Sequence, residues 1–171
     1  MGVASYEFEV TSPIAPARLF KAFVLEAAKI WPTAAPHAVK SVELEGDASP
    51  GSIVKITFVE GLPYQYMKHQ IGGHDENNFS YSYSMIEGGP LGDKLEKISY
   101  ENQFVAAADG GSICKSSIKY YTVGDYVITE DEIKTLIKGS EIGKASYGLG
   151  DRQGSPSHYR SLFRYFISLK L

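Results

Sequence analysis

Large rings and serines alternate along residues 79–85, the part of the chain whose residue types are best suited to bind a small molecule. The letters read FSYSYSM, so every odd position is large and every even position is serine. Successive strand residues point to opposite faces, which places Tyr81 and Tyr83 together on one face. Each tyrosine pairs an apolar ring with a hydroxyl. The pattern therefore predicts a sheet face that can form the wall of a pocket.

The same mixture continues in the next strand-like segment. Ile98, Tyr100 and Phe104 share one face, and Asn102 lies among them. A close-packed core prefers aliphatic side chains without polar atoms. Several hydroxyls and an amide on an inner face thus indicate a cavity that holds water or a ligand. We predict a cavity wall of ten residues: Phe23, Phe58, Tyr66, His69, Tyr81, Tyr83, Ile98, Tyr100, Ile118 and Tyr120.

His69 has two open interpretations. It either hydrogen-bonds a ligand or lies on the outer sheet face, because Tyr66 and His69 share a face only if a bulge intervenes. His37, His74 and His158 fall at loop or surface positions. The spacing of His, Asp and Glu supports no metal site, and we expect no cofactor.

Catalytic signatures are weak in this sequence. A Ser–His–Asp hydrolase would carry a Gly-x-Ser-x-Gly elbow, which is absent. The single cysteine, Cys114, excludes an internal disulfide and a CxxC metal site, and favours a reducing compartment.

Composition narrows the class of protein. The 171 residues fit one domain, and a net charge of −3 removes the basic footprint of a nucleic-acid binder. The chain shows neither a signal-peptide segment nor an apolar run of about 18 residues, so we expect no membrane association. We predict a cytoplasmic protein, with the nucleus as a second location, that is a monomer or a weak dimer.

Turn residues divide the chain into an α+β order. A strand over residues 3–11 precedes a helical stretch that Pro16 opens and that Pro32 and Pro36 interrupt or end, which predicts two short helices in a V. Thr129 and the acidic residues after it predict a further helix start. Short turns predict an antiparallel arrangement of six more strands, at residues 39–44, 52–59, 64–72, 78–86, 93–107 and 112–122.

Several motifs together resemble the plant class 10 pathogenesis-related proteins, the Bet v 1 (birch major pollen allergen) family. The resemblance covers residues 1 to about 149. It is carried by MGV with Tyr6-Glu7 at the start, APARLFKAFV (15–24), EGDASPGS (45–52), YSYSMIEGG (81–89), DKLEKISYE (93–101), GGSICK (110–115) and KYYTVGD (119–125).

The resemblance implies one ligand-binding domain over residues 1–171. Its fold would be a helix grip, in which a seven-stranded antiparallel sheet wraps around a long C-terminal helix and leaves a hydrophobic cavity. Its function would be that of a pathogenesis-related plant defence or stress protein, some of which are allergens. The expected partners are small amphipathic ligands, namely phytohormones such as cytokinin or abscisic acid, flavonoids and sterols.

Enzymatic relatives leave an alternative open, either weak ribonuclease activity or an enzyme of specialised metabolism. Ribonuclease activity has been attributed to a lysine and two glutamates, but Val54 stands at the lysine position and YGLG (147–150) at one glutamate, whereas Glu96 is present. Condensing relatives use a cavity lysine, whereas Lys97 falls on the face opposite Ile98. We therefore expect a binding protein rather than an enzyme.

Two segments depart from the family pattern. In the glycine-rich loop, Ala48 and Ser49 replace glycines and no Gly-Lys-Ser/Thr ending follows, which favours a rigid turn over a phosphate cradle. In the C-terminal region, glycines and Pro156 predict a broken helix. The atypical segment 150–171 would then redock as a separate amphipathic helix, pack poorly after a change of reading frame or exon, or bind a partner protein.

Overall fold

The computed structural model describes residues 2–141. The predictions for His158, for the glycine-broken C-terminal helix and for the segment 150–171 lie outside the described residues.

Seven antiparallel strands form one open sheet in the order β1-β7-β6-β5-β4-β3-β2. The predicted strands are confirmed, and their ends move by at most three residues. The strands are β1 Val3–Ser12, β2 Val39–Glu45, β3 Ile53–Phe58, β4 Tyr66–Asp75, β5 Ser80–Gly88, β6 Leu95–Ala106 and β7 Ser112–Thr122.

Two short helices lie between β1 and β2, and their separation has a different cause from the one predicted. Helix α1 covers Pro16–Phe20, a π-helical turn covers Lys21–Leu25, and helix α2 covers Ala27–Ala34. The amide of Glu26 donates to the carbonyl of Lys21, five residues back, at 2.8 Å. The helical path therefore changes at this wide turn. The expectation that Pro32 interrupts the helix is wrong, because Pro32 lies inside α2.

Helix α3, Glu130–Glu141, begins at the predicted position with a capping box. The amide of Glu132 donates to Thr129 Oγ1 at 3.1 Å, and the amide of Thr129 donates to Glu132 Oε2 at 2.9 Å. Each side chain thus satisfies a backbone donor that the helix start leaves unpaired. The bond from the Thr129 amide, with those that Tyr126 and Lys94 donate to the carboxylate, lowers the pKa of Glu132 to about 2.

The two faces of the sheet differ sharply in side-chain chemistry. On the inner face, Ile98, Tyr100 and Phe104 of β6 are buried beside Ile118 and Tyr120 of β7. On the outer face, hydroxyls and charges alternate with these rings, as the pattern of residues 79–85 predicts. The inner face and the helices that cover it enclose the hydrophobic core.

Candidate functional site

A cavity of about 200 Å³ lies between the helical segment and strands β2 to β5. The helical segment contributes one apolar wall and the inner face of the sheet contributes the other. Its lining residues are Phe23, Val24, Leu25, Ala27, Trp31, Val42, Ala48, Val54, Ile56, His69, Ile71, Gly73, His74, Tyr81, Ser82 and Tyr83.

The π-helical turn forms the helical wall. Phe23, Val24 and Leu25 are consecutive in sequence, and all three line the cavity. The ring of Phe23 meets Trp31 of α2 edge-on, with 6.1 Å between centroids, and contacts Phe104 of the sheet at 6.1 Å. Phe23 therefore joins the two walls.

A column of stacked rings forms the sheet wall. His69 of β4 stacks on Tyr83 of β5 with centroids 4.7 Å apart, and Tyr83 stacks on Tyr100 of β6 at the same distance. Tyr81 stacks beside Tyr83 at 6.0 Å. The strand register puts Tyr83 directly opposite Tyr100, so the column follows from the cross-strand pairing.

Burial makes the tyrosine hydroxyls on the inner face of the sheet harder to ionise. Desolvation raises the pKa of Tyr81, Tyr83 and Tyr100 well above the ordinary value of 10.0. It also raises the pKa of Tyr120 to about 12. A low-dielectric environment penalises the phenolate, which explains the direction. At neutral pH, where tyrosine is uncharged even in water, Tyr81 and Tyr83 present uncharged rings and hydroxyls to the cavity.

Nine of the ten predicted wall residues lie on the interior side, but they divide into two groups. Phe23, His69, Tyr81 and Tyr83 line the cavity itself. The remainder are buried core residues that do not line it, namely Phe58, Ile98, Tyr100, Ile118 and Tyr120.

Tyr66 is the exception, and its placement in the cavity wall is wrong. The β3–β4 register is continuous from Tyr66 to His69, so these residues take opposite faces and His69 is the inward one. The Tyr66 hydroxyl donates to Glu87 Oε1 at 2.7 Å, and Lys55 Nζ lies 5.2 Å from the centre of its ring. Tyr66 therefore belongs to a charged cluster on the outer face.

Sequence reasoning missed most of the helical wall. Leu19 and Phe20 define the buried side of α1, but a regular α-helical period does not place Leu25 beside Val24 on one wall. His74, expected at a surface position, is exposed, yet it also lines the cavity, and its ring lies 6.1 Å from Phe20. The sequence carries one indication for His74: it lies two residues beyond the end of the predicted strand 64–72, and the strand in the structure extends to Asp75.

The loop from Gly46 to Ser52 stands at the cavity mouth and is internally bonded. Asp47 Oδ1 accepts from the amide and hydroxyl of Ser49, and the amide of Gly51 donates to the carbonyl of Ile71 at 2.8 Å. The hydrogen bonds from the hydroxyl and the amide of Ser49 lower the pKa of Asp47. A carboxylate that occupies the loop's own donors opposes phosphate binding, in agreement with the expected rigid turn.

Groups required for the catalytic alternatives are dispersed. Lys97 Nζ lies 4.5 Å from the centre of the Tyr121 ring on the outer face, whereas Val54 lines the cavity. Glu96 is exposed. Among residues 2–141, His, Cys, Asp and Glu form no group able to hold a metal ion. Within the same range, no helix has both the length and the apolar character needed to cross a membrane.

Comparison with solved structures places the fold among known ones. The chain is similar to Ara h 8.0201, with 33% identity, a TM-score of 0.69, and coverage of 98% of this chain and 99% of that one. It also shares its fold with norcoclaurine synthase from Thalictrum flavum, with 19% identity, a TM-score of 0.63, and coverage of 99% and 88%.

Sequence comparison agrees with these structural similarities. The chain is 56% identical to the major allergen Pru av 1 of Prunus avium, over 78% of this chain and 84% of the relative. It is 53% identical to the major pollen allergen Bet v 1-B of Betula pendula, over 82% and 89%. Residues 1–142 match the family model described as the pathogenesis-related protein Bet v 1 family. With the seven-stranded sheet and its helical wall, these matches show that the chain belongs to the Bet v 1 family.

Proposed function

We propose that this protein binds small, uncharged amphipathic molecules in the cavity between the π-helical turn and the sheet. The observation that carries the proposal is the neutral ring column against an apolar helical wall. No Lys, Arg, Asp or Glu lines the cavity among the described residues. A ligand would pack its rings against Tyr83 and Phe23, and it would turn polar groups toward hydroxyls and His69.

The cavity volume narrows the ligand class. Pockets for drug-sized ligands measure about 300–1,000 Å³, and this one is about 200 Å³. A flat, uncharged molecule of two or three rings, in the size range of cytokinins or flavonoids, fits better than a sterol, and abscisic acid is disfavoured because it is a carboxylate at neutral pH. We place the protein among pathogenesis-related defence or stress proteins of the cytoplasm, a role consistent with its allergen relatives.

Non-enzymatic binding is favoured over catalysis by the positions of the ionisable groups. The lysine that the condensing alternative would require, Lys97, points away from the cavity, and Val54 replaces the lysine of the ribonuclease alternative. The similarity to norcoclaurine synthase, at 19% identity, concerns the fold alone.

Titration with the neutral fluorescent probe N-phenyl-1-naphthylamine tests the proposal. We expect saturable binding that a cytokinin or a flavonoid competes away, whereas abscisic acid, a carboxylate at neutral pH, should compete more weakly. Ile71→Trp should fill the cavity and abolish binding, because Ile71 lines it. Gln70→Trp is the matched control, since the adjacent residue of β4 is exposed on the outer face and should leave binding unchanged. Equal binding by both variants, or no saturable binding by the original protein, would contradict the proposal.

A further inference from the structure

Asn102 presents a buried amide donor that no described residue uses. It lies on the inner face of β6, and only 6% of its surface is exposed. Its Oδ1 accepts a hydrogen bond from Ser116 Oγ on β7 at 2.8 Å. Its Nδ2 is buried and has no hydrogen-bond partner among residues 2–141. A buried donor without a partner lowers the stability of the fold, so its presence needs a functional explanation.

The hydrogen bond from Ser116 restricts the direction of the free donor. An amide holds its oxygen and nitrogen in one plane on the same carbon, so the bond from Ser116 on β7 restricts the directions in which Nδ2 can point. The neighbouring strand on the other side of β6 is β5. Tyr81 stands there, directly opposite Asn102 in the β5–β6 register. Tyr81 lines the cavity, and Tyr81, Asn102 and Ser116 together line a second pocket of about 770 Å³.

The surroundings of Asn102 favour an uncharged acceptor. Tyr81 and Tyr100 are uncharged at neutral pH; burial raises the pKa of each further, and it raises the pKa of the Cys114 thiol to about 12. The pocket that Asn102 lines carries four carboxylates, Glu7, Glu9, Asp75 and Glu101, against one lysine, Lys115, so a negatively charged ligand is disfavoured. A ketone or amide carbonyl, by contrast, needs only the one donor that Nδ2 supplies.

We propose that Asn102, oriented by Ser116, determines specificity by donating a hydrogen bond to a carbonyl oxygen of a ligand that extends past Tyr81. This inference rests on the proposed function, because it requires a ligand in the cavity. It adds the chemical group by which the ligand is recognised. It also explains why a polar pair occupies a face that otherwise carries Phe104 and Ile118, at positions where aliphatic residues would pack without an unpaired donor.

A matched pair of probes tests this contact. The ketone 6-propionyl-2-(dimethylamino)naphthalene is fluorescent, and its emission moves to longer wavelength when its carbonyl accepts a hydrogen bond. The 6-propyl analogue has the same rings without the carbonyl. We expect the protein to prefer the ketone, and Asn102→Leu to weaken ketone binding about three- to tenfold, as loss of one neutral hydrogen bond predicts. Binding of the propyl analogue should not change.

Two further readouts separate recognition from a structural role. In Asn102→Leu, the emission of the bound ketone should move to shorter wavelength, whereas in the outer-face amide control Gln70→Leu it should stay in place. The urea midpoint of the double variant Asn102→Leu/Ser116→Ala should rise, because it removes the unpaired donor together with the hydroxyl that would otherwise lose its acceptor. A lower midpoint would assign Asn102 a structural role and overturn the inference.

The outcomes distinguish the two proposals. If the original protein binds neither naphthalene, the proposed function fails and the inference fails with it. If it binds both probes and Asn102→Leu leaves the ketone's affinity and emission unchanged, the cavity stands and only the inference is overturned. Ser116→Ala should give an intermediate loss of ketone affinity, since the amide then rotates freely; the full preference in this variant would also count against the orienting role.

Discussion

The two faces of strand β5 share one backbone and differ in almost every physical property. Tyr81, Tyr83 and Met85 point inward. There the two tyrosine rings stack, and burial raises the pKa of the Tyr83 hydroxyl. Ser84 points outward, and its Oγ lies 3.0 Å from Ser99 Oγ of β6. The inner face is thus built for contact with an apolar molecule, and the outer face for contact with water. The difference teaches that stability and ligand contact are concentrated on the same side.

Removal of one aromatic ring from each face should give the largest difference in the free energy of unfolding. Tyr83→Ala breaks the stack with His69 and Tyr100, and we expect it to lower the free energy of unfolding by about 3–5 kcal/mol, as for other buried aromatics. Tyr121→Ala removes a half-buried outer ring that Lys97 covers, and should cost at most about 1 kcal/mol. Urea unfolding at neutral pH measures both. Losses of equal size would contradict the division between faces.

The second largest effect should be a fall in the free energy of unfolding at alkaline pH, caused by the buried tyrosines of the inner face. The buried tyrosines have a folded pKa raised above the unfolded value of 10.0, so the unfolded chain loses their protons first. Their contribution is fully present below pH 10.0 and is lost as pH rises toward the folded pKa. Between the unfolded and the folded pKa, ionisation of each such tyrosine should lower the free energy of unfolding by up to about 1.4 kcal/mol per pH unit.

Tyr83→Phe provides the test of that slope. The variant removes one of the raised ionisations, so its free energy of unfolding should fall less steeply above pH 10.0 than that of the original protein. Urea unfolding at a series of alkaline pH values measures the difference. Parallel slopes would mean that Tyr83 ionises alike in both states.

The smallest effect should come from the outer serines. Ser84→Ala removes one half-buried hydroxyl contact with Ser99, and we expect a loss of about 0.5–1 kcal/mol. The double variant with Ser99→Ala should cost little more than either single change, because both remove the same contact. Full additivity in urea unfolding would show that the two hydroxyls act independently.

Side-chain alternation made the sheet and its inner face predictable. The spacing of residues 79–85 placed Tyr81 and Tyr83 correctly, and turn sequences located all seven strands. The face of Tyr66 depended on whether a bulge preceded His69, and sequence does not reveal a bulge before the register is known. The position of Leu25 in the helical wall was also not predictable, because it depends on the hydrogen bond from the Glu26 amide to the carbonyl of Lys21, five residues back.

The family resemblance supported the cavity that side-chain alternation predicted, but it did not give the extent of that cavity. The chain belongs to the Bet v 1 family, yet Ile98, Ile118 and Tyr120 pack as core where a larger pocket was expected. Which inward residues touch open space depends on how the helical wall approaches the sheet. That distance is a property of three-dimensional packing, which periodicity alone does not encode.

The π-helical turn makes the cavity sensitive to chain length as well as to residue identity. A wide turn contains about one residue more than an α-helical turn. Deletion of a single residue within Lys21–Leu25 would let the backbone resume the regular path and would rotate the residues beyond it by about 100°. Three consecutive side chains could then no longer share one wall. Insertions and deletions at this turn are therefore a route to new pocket shapes that substitutions alone do not provide.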